Sequence, residues 1–352
     1  MGEGIGPTAA PAGERVIRGE FTGSGREYFR IWIVNLFFTL ISFGVYSAWA
    51  KVRKKRYFYG STRFDGDTFD YFASPKAILK GRIVAVALLL LYVFTTELYP
   101  DSIWVFWGLL AVIIPWLIVR ALSFNARNSA YRGLRFDFLA TTGQTAKKYF
   151  GLVLLVIVTL GFAMPWFVAR YKSFVLSHHA FGSSRLGCDI PGGEVFGIYV
   201  KGFFLLMGLM IPAGGLMVAG GFAMSRLPPS VAWAGIALPL VVIYAAYAVV
   251  YAYTEARTTN LQWNRTHGPG VRFASTLSAR KLAWLYIGNV VGAACTAGLL
   301  IPWAVVRTLR YRLESFSMIV SDEGDHEASP ALAQVAATGQ EVGDIFNLDL
   351  GV

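Results

Sequence analysis

One pattern occurs three times in the chain, and each time it closes a long apolar run and opens a basic polar stretch. It consists of Ser or Thr, one residue, Gly, three residues, Ala or Pro, Trp, three residues and Arg, with an aromatic side chain four places later. The first copy is Ser42, Gly44, Ala48, Trp49, Arg53 and Tyr57. The second is Thr159, Gly161, Pro165, Trp166, Arg170 and Phe174, and the third is Thr296, Gly298, Pro302, Trp303, Arg307 and Tyr311. Recurrence at this spacing points to an architecture assembled from similar units. An apolar run ended by Trp and Arg is where a chain leaves a bilayer.

Composition agrees. The 352 residues are 55% hydrophobic and 15% charged, with mean hydropathy +0.51. A soluble domain carries about 25% charged residues. No secretory signal peptide is legible in the first thirty residues, which hold Arg15, Arg18, Arg26 and Arg30 without an apolar core. Cys188 falls in a polar loop and Cys295 in an apolar run, which argues against a disulfide between them. The 32 Lys and Arg residues all lie at or before Arg312, whereas residues 321–352 carry seven acids and no Lys or Arg. Because the bases flank apolar segments, anionic lipid headgroups are the expected partner, and nucleic acid is not.

Seven apolar segments are long enough to matter for a bilayer: 31–50, 82–98, 103–122, 149–169, 202–222, 231–253 and 282–306. Two pairs read as helical hairpins, turning at Glu97–Ser102 and at Ser225–Ser230. The other three segments end in the repeated motif. If all seven cross, the two faces receive 19 and 13 basic residues; if the three motif segments enter and leave on one side, the split is 31 to 1. Since Lys and Arg collect on the cytoplasmic face, the sequence predicts four spans in two hairpins plus three re-entrant or broken helices. Both termini are then cytoplasmic. Gly44, Gly161 and Gly298, with Pro165 and Pro302, are the expected helix breaks.

The predicted fold is therefore a polytopic α-helical membrane protein of two and a half internal repeats with a small cytoplasmic β layer. Its divisions are a disordered N-terminus 1–17, repeat units at 18–134 and 135–270, a partial unit at 271–320, and an acidic, disordered tail 321–352. Strand-like segments open the units at Arg18–Phe21, Arg135–Phe138 and Arg272–Phe273. A β-hairpin is expected from 57–64 and 67–72 around Asp65-Gly66, with a counterpart near 181–187 and a single strand within 311–320. Strands from different units that pair would leave no open edge.

Gly44 through Trp49, Arg56-Tyr57 and the turn Gly60–Gly66, together with the opening Phe21 and Gly23, resemble the YjgN-like family of bacterial inner-membrane proteins, a domain of unknown function. The resemblance covers about residues 15–320, with its best-matching part at 20–75. It implies a polytopic inner-membrane protein and brings no catalytic residue, ligand or cofactor.

The candidate sites follow from the motif. Trp49, Trp166 and Trp303 with Arg53, Arg170 and Arg307 share one helix face each. They either anchor the segment at headgroup depth or gather around an anionic ligand. Asn35 and Asn289 both stand nine residues before a motif glycine, inside an apolar run, and must find polar partners: another segment, or a ligand or pore. His178-His179 with Cys188 and Asp189 is a poor metal set, because adjacent histidines diverge. No nucleotide-binding, hydrolase, metalloprotease or haem motif occurs, and no cofactor is expected. The expected activity is non-enzymatic lipid binding or membrane organisation. The rival is a transporter or channel for a small solute or anion through a repeat-built site. The tail, which carries Ile345-Phe346, Leu348 and Leu350, is a candidate docking peptide for a protein partner. Oligomeric state is not legible.

Overall fold

The structure is a computed structural model and describes residues 14–181, 184–224 and 232–321. Helices dominate it, in three short hairpins and two long ones. The short hairpins are α1 (Gly25–Ile41) with α2 (Ser47–Ser61), α5 (Thr142–Val158) with α6 (Met164–His178), and α9 (Ala279–Cys295) with α10 (Ile301–Glu314). The long ones are α3 (Pro75–Leu98) with α4 (Ser102–Arg127), and α7 (Gly192–Met224) with α8 (Ala232–Asn264). Every one of these helices packs on the next in the chain, and α10 closes on α1, so they form a ring in sequence order.

Each part of the motif has a mechanical task in the short hairpins. Phe43-Gly44, Leu160-Gly161 and Ala297-Gly298 all take positive φ, near +50° and then near +90°. The glycine N–H turns back to a carbonyl five residues earlier: Gly44 to Thr39 and Gly161 to Val156 at 2.8 Å, Gly298 to Ala293 at 2.7 Å. That left-handed pair reverses the chain at the cost of one strained non-glycine residue. The motif's first residue then caps the returning helix. Ser42 Oγ accepts from Tyr46 N–H at 2.8 Å, Thr159 Oγ1 from Ala163 N–H at 3.0 Å, and Thr296 Oγ1 from Leu300 N–H at 3.1 Å. Pro165 and Pro302 lie in the first turn of the return helix, where a missing N–H costs nothing. They start the second helix; the break belongs to the glycine and its predecessor.

The hairpin mouths are also built alike. Ser24, Thr141 and Ser278 each cap the outgoing helix, accepting from the N–H of Glu27, Gln144 and Lys281. The closing aromatic reaches back to the same place. Tyr57 Oη accepts from Ser24 N–H at 2.8 Å and donates to Ser24 O at 2.9 Å, and Tyr311 Oη accepts from Ser278 N–H at 2.8 Å. Both ends of a short hairpin therefore lie at one level.

Among the described residues twelve short strands complete the fold: β1 (Glu14–Arg18), β2 (Glu20–Phe21), β3 (Thr62–Phe64), β4 (Asp67–Tyr71), β5 (Ser129–Tyr131), β6 (Leu134–Phe138), β7 (His179–Phe181), β8 (Ser184–Arg185), β9 (Gly187–Cys188), β10 (Thr266–Gly268), β11 (Val271–Ser275) and β12 (Phe316–Ser321). They form two antiparallel ladders, β2 to β8 in sequence order and β1-β12-β11-β10-β9. Gly19 alone joins β1 to β2, and Leu186 alone joins β8 to β9, so the two ladders follow one another in a closed cycle. Gly19 is required there, because a Cβ would stand 2.6 Å from the Phe64 ring. Asp65-Gly66 and Arg132-Gly133, both with positive φ, are the tight turns of β3–β4 and β5–β6.

Alternate strand residues point inward. Phe64, Phe69, Tyr131, Phe136, Phe273, Phe316 and Met318 are buried, with Trp263 of α8 inserted among them. Phe64 meets Phe316 edge-on at 5.9 Å, Trp263 meets Phe316 at 5.1 Å, and Tyr131 donates to Phe64 O at 2.8 Å. Outside, Arg15 pairs with Asp65, Arg132 with Asp65 and Asp67, and Arg272 with Glu14.

Several expectations change. Residues 14–17, expected within a disordered N-terminus of 1–17, are strand instead: Glu14–Arg18 pairs with β12 in register Glu14 to Ser321, and residues 1–13 lie outside the described residues. Residues 57–61 and 311–314 are helical, not strand: the Tyr57 and Tyr311 contacts hold them in the returning helices. The turn at 225–230, the start of the span 231–253 and the tail from 322 lie outside the described residues. Among the described residues three helices are long and apolar enough to cross a membrane: Pro75–Leu98, Ser102–Arg127 and Gly192–Gly220.

Candidate functional site

Two cavities carry the motif's Trp and Arg. The first, about 640 Å³, opens between α9, α10 and the start of α1, and Lys281, Trp284, Trp303, Arg307, Arg310 and Glu314 contribute to its wall. The second, about 630 Å³, lies in the α5–α6 hairpin, with Lys147, Lys148, Trp166, Arg170 and His178 at its polar side and Gly151, Leu152 and Leu155 at its apolar side. Each thus gathers three strong cations, the motif indole and aliphatic side chains, and the first adds Trp284 and the carboxylate of Glu314. Helix geometry dictates this, since Trp and Arg four apart stand one above the other on a helix.

In both, the indole is seated by a glycine on the adjoining helix. A Cβ at Gly25 would fall 2.4 Å from Trp303, and one at Gly192 would fall 2.2 Å from Trp166. Four residues on, Phe29 and Phe196 complete the cradles, at ring distances of 5.1 and 4.7 Å. The sequence reading missed this Gly-x3-Phe pair, which is legible at 25–29 and 192–196 as a small residue and an aromatic one turn apart. In the first unit the corresponding position is Pro75, with Leu79 one turn on, so an indole cannot settle there in the same way. Trp49 and Arg53 line neither of these two cavities: Trp49 stacks near Tyr46 at 6.2 Å, and Arg53 is exposed.

Arg170 and Arg307 accordingly face separate cavities, so these two do not meet around one ligand as the gathering alternative required. Arg170 reaches Asp189 at 3.8 Å across exposed surface, and Arg310 Nη2 donates to Gly23 O at 2.9 Å, tying α10 to the entry of α1.

Asn35 and Asn289 are internal fasteners of their hairpins. Asn35 Nδ2 donates to Ala50 O at 3.5 Å; Asn289 Nδ2 reaches Thr308 Oγ1 at 2.8 Å and Ala304 O at 3.4 Å. His178 and His179 each turn Nδ1 to a carbonyl of their own helix, Phe174 O and Val175 O, both at 2.8 Å. Among the described residues no three His, Cys, Asp or Glu side chains gather as metal ligands.

Residues 17–345 match the family described as "Bacterial protein of unknown function (DUF898)". The chain belongs to that family. Its curated relatives include inner membrane protein YjgN of Salmonella typhimurium, 24% identical over 89% of this chain and 93% of the relative. YjgN of Escherichia coli O157:H7 is 27% identical over 52% of this chain and 45% of its own. No solved structure matches. Family membership, these relatives and the three apolar helices together make this an integral membrane protein.

Proposed function

We propose that this protein is a non-enzymatic membrane organiser, built from two and a half repeats, that holds anionic lipid headgroups in its Trp–Arg cavities. The observation that carries the reading is that the same constellation is built twice: three cations, an indole fixed by a glycine cradle, and an apolar floor. A phosphodiester headgroup needs charge-assisted donors, and its acyl chains need the adjoining aliphatic surface. Arginine and tryptophan at that depth match the interface of a bilayer.

The short hairpins are the re-entrant elements of this reading. A 17-residue helix such as α1 is about 25 Å long, short of the roughly 30 Å hydrocarbon layer. Its mouth is tied shut by Tyr57, so the chain leaves where it entered. The β ring and both termini then lie on the cytoplasmic face, the side that collects the basic loops. Cysteines placed at Leu134 and Arg185, in a background lacking Cys188 and Cys295, should label from the same side of sealed vesicles. Labelling from opposite sides would require seven crossings.

The lipid reading is tested by extracting the protein in native-membrane nanodiscs and weighing the lipids that remain bound. The wild type should retain anionic phospholipid, and Arg170→Ala with Arg307→Ala should lose most of it. An unchanged lipid complement in a folded double variant would remove the proposal. The transport reading draws on the closed helix ring, but the two hydrogen bonds that Asn289 makes within its own hairpin weigh against it; Asn35 engages only its Nδ2 in this way, and its buried Oδ1 has no partner among the described residues. For the acidic tail we propose a protein-docking role; removing 322–352 should then deplete a co-purifying protein.

A further inference from the structure

The helix ring contains a second polar centre, away from the two cavities. Arg312 of α10 is 3% exposed, lies 3.4 Å from Glu255 of α8 through Nη1, and donates to the Tyr286 hydroxyl of α9. Glu255 begins a stripe on α8. Thr259 and Gln262, four and seven residues on, share its face by helical periodicity, and Thr266 continues it to Cys188, Oγ1 to Sγ at 3.3 Å. Lys172 of α6, half-buried, stands alongside: it feels the charge of Glu255 and Arg312 as well as Cys188, and burial pushes its ammonium below the ordinary lysine value. Ser173, its neighbour, fixes α6 to the following loop by accepting from Ile190 N–H at 2.9 Å.

Two features leave this centre incomplete. Thr259 and Gln262 are fully buried, yet Thr259 Oγ1 and both polar atoms of the Gln262 amide have no hydrogen-bond partner among the described residues. A buried amide left so costs about 1–3 kcal/mol. The charge is also unbalanced. Glu255 is engaged by Arg312, and no carboxylate of the described residues lies within ion-pair distance of Lys172. The matching lysine of the first short hairpin is finished differently. Lys55, like Lys172 two residues past its motif arginine, donates to Asn125 Oδ1 at 3.3 Å and covers the Tyr71 ring at 5.3 Å. Asn125 and Glu255 occupy corresponding places near the ends of α4 and α8, 130 residues apart. Among the described residues Lys172 shows neither a neutral hydrogen-bond partner nor an aromatic face, and it feels the charge of Glu255 and Cys188, between whose contacts the unpartnered Thr259 and Gln262 lie along the stripe.

We propose that Lys172, Thr259 and Gln262, backed by the Arg312–Glu255 pair, form a site for a small phosphate-class oxyanion. Such an ion supplies the acceptor oxygens that the Gln262 N–H groups and the Thr259 hydroxyl lack, a P–OH that can donate to Gln262 Oε1, and the negative charge that a buried arginine and a half-buried lysine against one carboxylate call for. The partly open side of Lys172 is its approach.

The test uses the full-length protein in nanodiscs of phosphatidylcholine alone, titrated with inorganic phosphate while thermal unfolding is followed. Binding to the folded state should raise the melting temperature with the logarithm of phosphate concentration. Lys172→Met should abolish the rise. Gln262→Leu, which leaves every charge in place, should raise the half-saturating phosphate about tenfold, and it decides the matter if Lys172→Met fails to fold. Arg170→Ala and Arg307→Ala should leave the response intact, which separates this site from the headgroup cavities. If discs containing phosphatidylglycerol give a Lys172-dependent shift without added phosphate, the oxyanion is a lipid headgroup. A wild type indifferent to both, or a shift that survives in Lys172→Met and Gln262→Leu alike, overturns the proposal.

Discussion

The hairpins α3–α4 and α7–α8 occupy corresponding places in the chain and are of similar apolar character, yet they pack in opposite ways. From Ile83 to Leu91 every residue of α3 is exposed, on all faces of the helix, and α4 buries only Pro115 and Ala126. In α7–α8, by contrast, Ala213, Ala246, Ala252 and Ala256 are buried, and Gly202 lets Thr254 approach so closely that a Cβ would meet its methyl at 3.0 Å. The α8 helix packs on α9 as well. Hydrophobicity cannot produce the difference, because lipid tails are as apolar as leucine. What distinguishes the two is the side chain at the contact: Gly and Ala allow backbones to approach, whereas the Leu, Val and Trp of α3–α4 hold them apart. Both hairpins belong to the ring, but α7–α8 is tightly packed within itself, whereas α3–α4 presents nearly all of its surface to its surroundings.

The largest expected contrast lies where each hairpin returns to the β ring. Glu255→Gln leaves the buried Arg312 without its counter-charge, beside a half-buried Lys172, and should cost about 3 kcal/mol, the lower end for breaking a buried ion pair. Asn125→Ala at the corresponding place of α4 removes one hydrogen bond to Lys55 and should cost about 1 kcal/mol. Unfolding curves in one detergent compare them. Equal losses would mean that the charge on α8 contributes nothing to holding the ring.

A second contrast tests the packing argument. Gly202→Leu forces a branched side chain against Thr254 and should destabilise by about 1–3 kcal/mol. Gly81→Leu in α3, where a Cβ meets nothing within 4 Å, should stay within about 0.5 kcal/mol of wild type. Losses of similar size at both positions would show that α3 has a close neighbour.

What the sequence disclosed divides along the same line of local against distant. The motif's glycine break and the Asp65-Gly66 turn are local chemistry, readable within a few residues; the caps at Ser24, Thr141 and Ser278 are local too, but only the structure brought them out. Closure of the strand cycle depends on β1 meeting β12, some 300 residues away, which no short-range pattern encodes. This is why residues 14–17 read as a disordered start. The polar centre escaped for a related reason. Lys172, Glu255 and Arg312 each lie beyond the end of an apolar run, so a search for charges inside spans passes over them, and only the fold brings them together. Trp166 and Trp303 were legible as candidate site residues from the motif, but their seats at Gly192 and Gly25 belong to other helices.

The smallest expected effect is the most discriminating, because its sign should differ between the hairpins. Alanine is the better helix former by about 0.8–1 kcal/mol wherever the added methyl has room. At Gly81 it does, so Gly81→Ala should raise stability by about 0.5 kcal/mol, seen as a small upward shift of the unfolding midpoint. At Gly202 the same methyl arrives 3.0 Å from Thr254 Cγ2, and α7 or α8 must yield by a few tenths of an ångström. The propensity gain is then offset or reversed by lost contact along a helix pair held by close approach. Opposite shifts would assign the packing difference to side-chain size at the contact. A gain at both positions would mean that α7 and α8 adjust freely, and the tight hairpin would then owe its closeness to the ring around it.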